Sequence, residues 1–234
     1  MIRLAETIDA LRPLCGSAFG CQILSSALAY GLSRPFAQFW TDGAAAYGML
    51  DGVMRIAGAV EDPEEARSFL GAVGAAQVVC SAENGARLGL RAAARGAVLE
   101  KDLAGAPAPA EPAPVRAVYE VLAANGMAGD FEPFYLDLSH RLRHGAARAS
   151  VLYAGGEAVA AAAAALAGES ALVTAVAVLP AEQGKGYGGA VLRAVEAQLG
   201  GCRVYLLRAE HENERFYARR GYVQSGAWCA GVLE

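Results

Sequence analysis

One stretch of the chain, Ala171 to Leu199, constrains the fold more than any other, because it predicts a strand, a glycine-rich loop and a helix in immediate succession. Residues 171–178 form an almost unbroken apolar and β-branched run, which is typical of a strand buried on both faces. Pro180 then ends the strand, because it has no N–H to donate to the ladder. Beyond the loop, a helix is predicted from the apolar residues at helical spacing, Val191, Leu192, Val195 and Leu199.

The loop itself has the pattern of an anion-binding turn. Gln183, Gly186 and Gly188 are spaced as Q-x-x-G-x-G, and Gly189 follows. The first N–H groups of a helix have no partners within it, and glycine lets a bulky phosphate approach them. The alternative is a strand-to-helix turn that needs glycine only for its dihedral angles.

The loop does not fully match either of two known nucleotide-binding patterns. No Gly-Lys-[Ser/Thr] stands at the spacing of a Walker loop. Gly184, Gly186 and Gly189 satisfy G-x-G-x-x-G, but no acidic residue ends the following predicted strand, where a ribose partner is expected. A nucleotide-binding α/β protein is therefore disfavoured.

The sequence resembles the GNAT superfamily of acetyl-CoA-dependent N-acetyltransferases in two blocks. The run from Val178 to Gly188 is similar to V-x-P-x-x-Q/R-x-x-G-x-G/A, and the run from Asn213 to Tyr222 is similar to N-x-x-F-Y-x-x-x-G-F/Y. The family commonly places the asparagine further upstream of its tyrosine. The resemblance is best over about residues 171–222, and a strand is predicted between the blocks.

This resemblance implies a site for acetyl-CoA as co-substrate. The backbone of Val176, Ala177 and Val178 is expected to run beside the pantetheine arm, with one N–H group polarising the thioester carbonyl. The loop is expected to bind the pyrophosphate, and its cofactor-binding residues are Gln183, Gly184, Lys185, Gly186, Tyr187, Gly188 and Gly189.

The second block implies the remaining site residues. Asn213 and Phe216 are expected to contact the cofactor, although Asn213 could instead cap a helix. Tyr217 is the expected catalytic residue, because its counterpart in the family often protonates the departing sulfur. Phe216 and Tyr217 could alternatively both pack under the sheet.

No general base can be named from the sequence. The candidates are Glu210, His211 and Glu212 at a strand end, and Asp137 and His140 on a helix. His140 and His144 lie one helical turn apart, but no third ligand is evident, so no metal site is predicted.

The Pro- and Ala-rich segment 105–114 predicts an extended linker between a unit of residues 1–104 and an acetyltransferase domain of residues 115–234. Each half has the predicted order ααβββαβαβ. The predicted fold class is therefore α/β (α+β), with two GNAT-like units in tandem, each a mixed central sheet flanked by helices. Residues 158–166 are mostly alanine, a good helix former, yet their place between two strands predicts a strand.

The N-terminal half is expected to be a degenerate GNAT-like unit. It carries Glu61-Asp-Pro-Glu-Glu65 where the second half carries the glycine loop. The carboxylates would repel a pyrophosphate, and Pro63 lacks an N–H. This half is expected to complete the fold and to form one wall of the acceptor cleft. Phe36, Phe39 and Trp40 are either its lining or simply core residues.

Composition limits the setting in which the protein works. A net charge of −4 argues against a nucleic-acid partner. No secretory signal or membrane-spanning run is predicted, so a cytoplasmic protein without a membrane partner is expected. The oligomeric state stays open. A reducing compartment and buried thiols are predicted from five cysteines without metal spacing, Cys15, Cys21, Cys80, Cys202 and Cys229.

These patterns predict an N-acetyltransferase that transfers an acetyl group from acetyl-CoA to a primary amine of a small molecule or peptide. The alternative is a non-catalytic acyl-CoA-binding or regulatory module, which would keep the loop without transfer activity. Specificity for the acceptor resides in variable loops, so the acceptor itself is not predicted.

Overall fold

The computed structural model describes residues 1–14 and 16–233, and the predicted buried thiol of Cys15 lies outside them. The N-terminal half contains β1 (Arg3–Leu4), a 3₁₀ helix (Ile8–Leu14), α1 (Ala18–Tyr30), β2 (Ala37–Thr41), β3 (Ala45–Leu50), β4 (Val53–Gly58), α2 (Pro63–Ala72), β5 (Gln77–Ser81), α3 (Ala82–Leu88) and β6 (Leu90–Asp102). The C-terminal half contains α4 (Val115–Ala123), α5 (Phe131–Arg143), β7 (Ala147–Ala154), β8 (Glu157–Ala167), β9 (Ser170–Val178), a 3₁₀ turn (Pro180–Glu182), α6 (Tyr187–Ala197), β10 (Arg203–Ala209), α7 (Glu214–Ala218) and β11 (Val223–Leu233).

The element order confirms the predicted α/β class. Apart from β1, both halves run ααβββαβαβ, with the 3₁₀ helix in the place of the first helix of the N-terminal half. The described cysteines Cys21, Cys80, Cys202 and Cys229 are all buried as thiols. Among the described residues, no helix is long and apolar enough to cross a bilayer.

The chain forms two compact units. The first unit comprises Met1–Lys101 together with Tyr205–Glu234, and the second comprises Asp102–Val204. The C-terminal strand and the short helix before it therefore belong to the same unit as the N-terminal half. The linker proposed from the sequence, residues 105–114, lies within the second unit.

The first unit is built on a mixed sheet with the strand order β1-β2-β3-β4-β5-β11-β6-β10. Strands β4 and β5 are parallel, whereas β11 is antiparallel to both of its neighbours. Cys229 in β11 lies opposite Cys80 in β5, and Trp228 lies opposite Gly96 in β6. The last strand of the chain therefore completes the sheet of the N-terminal half.

Helices α2 and α3 cover one hydrophobic core of this unit. The core is made by buried side chains from both helices and from five strands, among them Tyr47, Met54, Ile56, Leu70, Val78, Cys80, Leu88 and Cys229. Gly85 lets α3 lie close to the sheet, because a Cβ at this position would collide with the Cys229 Sγ. Phe39 and Trp40 are also buried, so both aromatic side chains are core residues.

The second unit contains the antiparallel strands β7, β8 and β9, with β8 in the middle. Helices α4 and α6 both pack on β8, and its alanines 160–164 are buried. The predicted strand at residues 158–166 is thus confirmed, as residues 157–167. Small side chains let the helices approach the strand closely.

The proline-rich segment 105–114 is an extended part of this second unit. The Ala108 N–H donates to the Ala197 carbonyl at 2.7 Å. A Cβ at Gly200 would lie 2.5 Å from the Ala106 carbonyl oxygen, so the segment packs tightly on the end of α6. These contacts join the segment to the end of α6, and residues 104–112 are exposed to solvent.

Candidate active site

The residues of β9 predicted to run beside the pantetheine arm are paired in register with β8. Val176, Ala177 and Val178 lie opposite Ala162, Ala161 and Ala160 of β8. The Leu179 N–H donates to the Val159 carbonyl at 2.9 Å, which fixes the hydrogen-bonded pairs of the ladder. Because these pairs alternate in an antiparallel ladder, the Ala177 N–H faces β8, whereas those of Val176 and Val178 face away from it.

A β-bulge bends this strand just before the site. The register shifts between Ala163 and Ala164, which leaves Thr174 unpaired in β9. Its Oγ1 donates to the Ala163 carbonyl at 3.2 Å. Bulges of this kind redirect a strand next to functional sites.

The glycine loop follows in a conformation that only glycine adopts easily. Gly184 and Gly186 have φ values of 80° and 90°. A Cβ at either residue would meet no atom within 4 Å, so these glycines are required by their dihedral angles. Gln183 closes the turn, since its Nε2 donates to the Val178 carbonyl at 3.4 Å.

Helix α6 begins at this loop without a side-chain cap. Its N-cap residue, Gly186, offers no side-chain acceptor, and Ala190 makes the first helical hydrogen bond back to the Gly186 carbonyl at 3.2 Å. The preceding N–H groups, which belong to residues 187–189, have no partner within the helix. Beside them, Lys185 forms an ion pair with Glu182 at 2.9 Å, so the local side-chain charge is balanced.

The corresponding junction in the N-terminal half is closed by its own side chains. Asp62 Oδ1 accepts from the N–H groups of Glu64 and Glu65 at 3.0 and 2.9 Å. Asn84, which is only 2% exposed, accepts from the Val60 N–H at 3.1 Å and donates to the Gly58 carbonyl at 2.8 Å. The polar groups at this strand end and helix start therefore bind the protein itself.

Tyr217 is a buried phenol on the short helix α7. Its side chain is 9% exposed, and its ring lies edge-on to Phe216 at 4.9 Å and to Tyr222 at 5.8 Å. Burial raises the pKa of Tyr217, with a lowering effect from Arg220 and a further rise from Glu212. The phenol is therefore protonated at neutral pH, as a proton donor must be.

Asn213 and Phe216 differ in their surroundings. Asn213 is exposed, has φ of 51°, and makes no side-chain hydrogen bond to the helix it precedes. Its side chain therefore does not cap α7, although the residue stands at the N-cap position. Phe216 is half-buried, and the Arg220 guanidinium lies 3.6 Å from its ring centroid.

The predicted site residues divide between the units. Those from Val176 to Gly189 belong to the second unit, and those from Asn213 to Tyr217 belong to the first. Of the helical base candidates, Asp137 pairs with Arg141 at 2.8 Å, and the His140 and His144 rings lie 4.0 Å apart. Within residues 1–14 and 16–233, no group of His, Cys, Asp or Glu side chains could hold a metal ion.

The first unit also contains a cavity of about 810 Å³ that sequence reasoning missed. Two base candidates, Glu210 and His211, line it, together with Glu214 of α7. Its walls come from α3, β6, β11 and the end of β10, which are far apart in sequence. In the sequence, only the charged residues at the end of β10 stood out as candidates for a functional role. Nothing in the sequence predicted a cavity beside them.

One known protein family matches part of the chain. Residues 146–224 match the family described as acetyltransferase (GNAT) domain. This stretch of the chain is thus similar to a GNAT acetyltransferase domain. No curated protein matches the chain.

Solved structures share the fold across nearly the whole chain. A GCN5-related N-acetyltransferase from Kribbella flavida has 18% identity and a TM-score of 0.63, over 97% of this chain and 95% of that one. A GCN5-related N-acetyltransferase from Sphaerobacter thermophilus has 16% identity and a TM-score of 0.63, over 98% and 94%. A tandem GNAT protein from the clavulanic acid biosynthesis pathway has 14% identity and a TM-score of 0.56, over 98% and 97%. At these identities the likeness concerns the fold.

Proposed function

We propose that this protein transfers the acetyl group of acetyl-CoA to a primary amine of a small molecule or peptide. The observation that carries the proposal is the uncapped start of α6, where the N–H groups of residues 187–189 have no partner within the helix. Helix α2, at the corresponding place in the N-terminal half, is capped by Asp62. An anionic ligand therefore has a preferred place at α6.

The residues that would hold the cofactor follow from this geometry. The N–H groups of residues 187–189 suit the pyrophosphate, because they point out of a helix N-terminus at its positive end. Lys185 adds a nearby cation, although it shares its charge with Glu182. The N–H groups of Val176 and Val178 are the donors for the pantetheine arm and the thioester carbonyl, and Ala177 contributes only strand pairing.

The chemistry needs a polarised carbonyl and a proton for the leaving sulfur. A backbone N–H of Val176 or Val178 stabilises the oxygen of the carbonyl as the amine nitrogen attacks it. The carbon–sulfur bond breaks as the amide bond forms, and Tyr217 donates its proton to the sulfur. The attacking nitrogen loses its proton to water or to a carboxylate. We further propose a cytoplasmic, reducing setting, in which the buried cysteines stay as thiols.

Calorimetric titration tests the cofactor site. Acetyl-CoA is expected to bind wild type with micromolar affinity, and ATP is not. Gly186→Glu places a carboxylate at the proposed anion site and is expected to abolish binding. Gly156→Glu is the matched control, because Gly156 has φ of 87° and also has nothing within 4 Å of a Cβ. Equal loss in both variants, or no binding to wild type, would overturn the proposal.

Catalysis is tested separately by acetyl-CoA turnover with a panel of amines. If acetyl-CoA binds but no amine in the panel is acetylated, the non-catalytic acyl-CoA-binding module becomes the better account. If an amine is acetylated, Tyr217→Phe is expected to slow turnover while acetyl-CoA still binds.

A further inference from the structure

The cavity of the first unit has both polar and apolar walls. Its volume of about 810 Å³ is within the range of pockets that hold ligands of drug size. The Trp228 indole forms part of the wall and is fixed, because its Nε1 donates to the Arg208 carbonyl at 3.0 Å. The other apolar lining includes Ala86, Leu90, Ala97 and Ala227.

The rim of the cavity carries charges of both signs. Arg95 and Glu210 form an ion pair at 3.6 Å and so balance each other. The Arg208 Nη1 donates to the carbonyls of Ala209 and Glu212 at 3.4 and 3.2 Å, which holds the guanidinium in place. A guanidinium has five N–H donors, so Arg208 keeps donors for an anion in the cavity.

Glu214 provides the opposite charge at the same cavity. It lies in the first turn of α7, and its side chain is exposed. Tyr217 follows three residues later, which places the two side chains on neighbouring positions of one helix face. A cation bound at Glu214 would therefore lie close to the proposed proton donor.

We propose that this cavity binds the acceptor, and that the acceptor is a zwitterion with an apolar side chain, such as a short apolar peptide. Its ammonium group lies at Glu214, its carboxylate lies at Arg208, and its apolar side chain packs on Trp228. This inference rests on the proposed function, because it supplies the amine of that reaction. It goes beyond the proposed function in two respects. It assigns the acceptor to this cavity, and it assigns the acceptor a carboxylate.

Calorimetry with L-phenylalanyl-L-leucine, in the absence of acetyl-CoA, tests the inference. The dipeptide is expected to bind wild type. Its des-amino analogue and its C-terminal amide are each expected to bind at least about tenfold more weakly, because each lacks one charge-assisted contact. Equal binding of all three compounds would overturn the inference.

Substitutions test which residues of the protein contact the dipeptide. Glu214→Gln is expected to weaken dipeptide binding about tenfold without changing the binding of the des-amino analogue. Glu83→Gln, at an exposed position outside the cavity lining, is expected to have no effect. Ala86→Phe fills the cavity and is expected to abolish binding. Ala72→Phe, at an exposed helical position outside the cavity, is the matched control.

The outcomes separate this inference from the proposed function. If acetyl-CoA binds and the dipeptide does not, the inference falls and the proposed function stands. If the dipeptide binds and acetyl-CoA does not, the cavity is a ligand site and the proposed transfer reaction falls.

Discussion

Asn84 offers a direct test of how the strand end and helix start in the N-terminal half are held together. Its amide makes two buried hydrogen bonds, to the Val60 N–H at 3.1 Å and to the Gly58 carbonyl at 2.8 Å. Asn84→Ala leaves both backbone groups buried and unsatisfied, at about 1–3 kcal/mol each, so the free energy of unfolding should fall by about 2–6 kcal/mol. Urea denaturation followed by circular dichroism measures this change.

Two comparison variants make the result specific. Asn125→Ala removes one hydrogen bond, from Nδ2 to the Val121 carbonyl at 2.8 Å, at a half-exposed helix end where water can replace it. Its cost should stay below about 1 kcal/mol. Asn84→Asp keeps an acceptor for Val60 but has no donor for Gly58, so it should be at least as destabilising as Asn84→Ala. If Asn84→Ala lowers the free energy of unfolding by less than about 0.5 kcal/mol, the two hydrogen bonds of Asn84 do not stabilise this junction.

Three further predictions concern the first unit. Tyr217→Phe should lower kcat by about 10²–10⁴-fold with little change in acetyl-CoA affinity, as steady-state kinetics and calorimetry can check; a loss of affinity instead would assign the residue to binding. Because burial raises the pKa of Tyr217 above its usual value of 10.0, its neutral form stabilises the fold below pH 10 and this contribution is lost as the pH rises through the raised pKa. Tyr217→Phe should therefore lose less stability than wild type between pH 8 and pH 11 in urea titrations, and parallel losses would contradict this. Residues 1–104 alone should stay unfolded by circular dichroism because they lack β11, and a folded fragment would show that β11 is dispensable.

Local pattern was enough to predict the elements and the glycine loop. The strand of alanines, β8, was predicted from its place between two strands, and the structure confirms it although alanine favours helices. Helices α4 and α6 pack on β8, and its alanine side chains are buried beneath them. Tertiary burial thus outweighed intrinsic propensity, as it often does in sheets.

Long-range pairing could not be predicted. The insertion of β11 between β5 and β6 joins residues about 150 positions apart, such as Cys80 and Cys229, and no local signal specifies it. The cavity depends on the same pairing, since β6 and β11 both form its walls. Asn84 is a polar residue in a short helix, and only the structure reveals that it bonds to the chain at the end of β4.

The role of single aromatic residues was also undecided by sequence. Phe39 and Trp40 were either cleft lining or core, and their burial makes them core. Tyr217 is buried as well, and it lies three residues after Glu214, which lines the cavity. Burial alone therefore does not separate a packing aromatic residue from a proton donor, and kinetics must do so.

We propose above all that acetyl-CoA binds at the start of α6 and along β9. Amide chemical shifts of the ¹⁵N-labelled protein, recorded during titration with acetyl-CoA, test it most directly. We expect saturable shifts at Val176, Val178 and residues 187–189, with none at the closed junction around Val60 and Glu65. Shifts confined to that junction, or no shifts at α6, would contradict it.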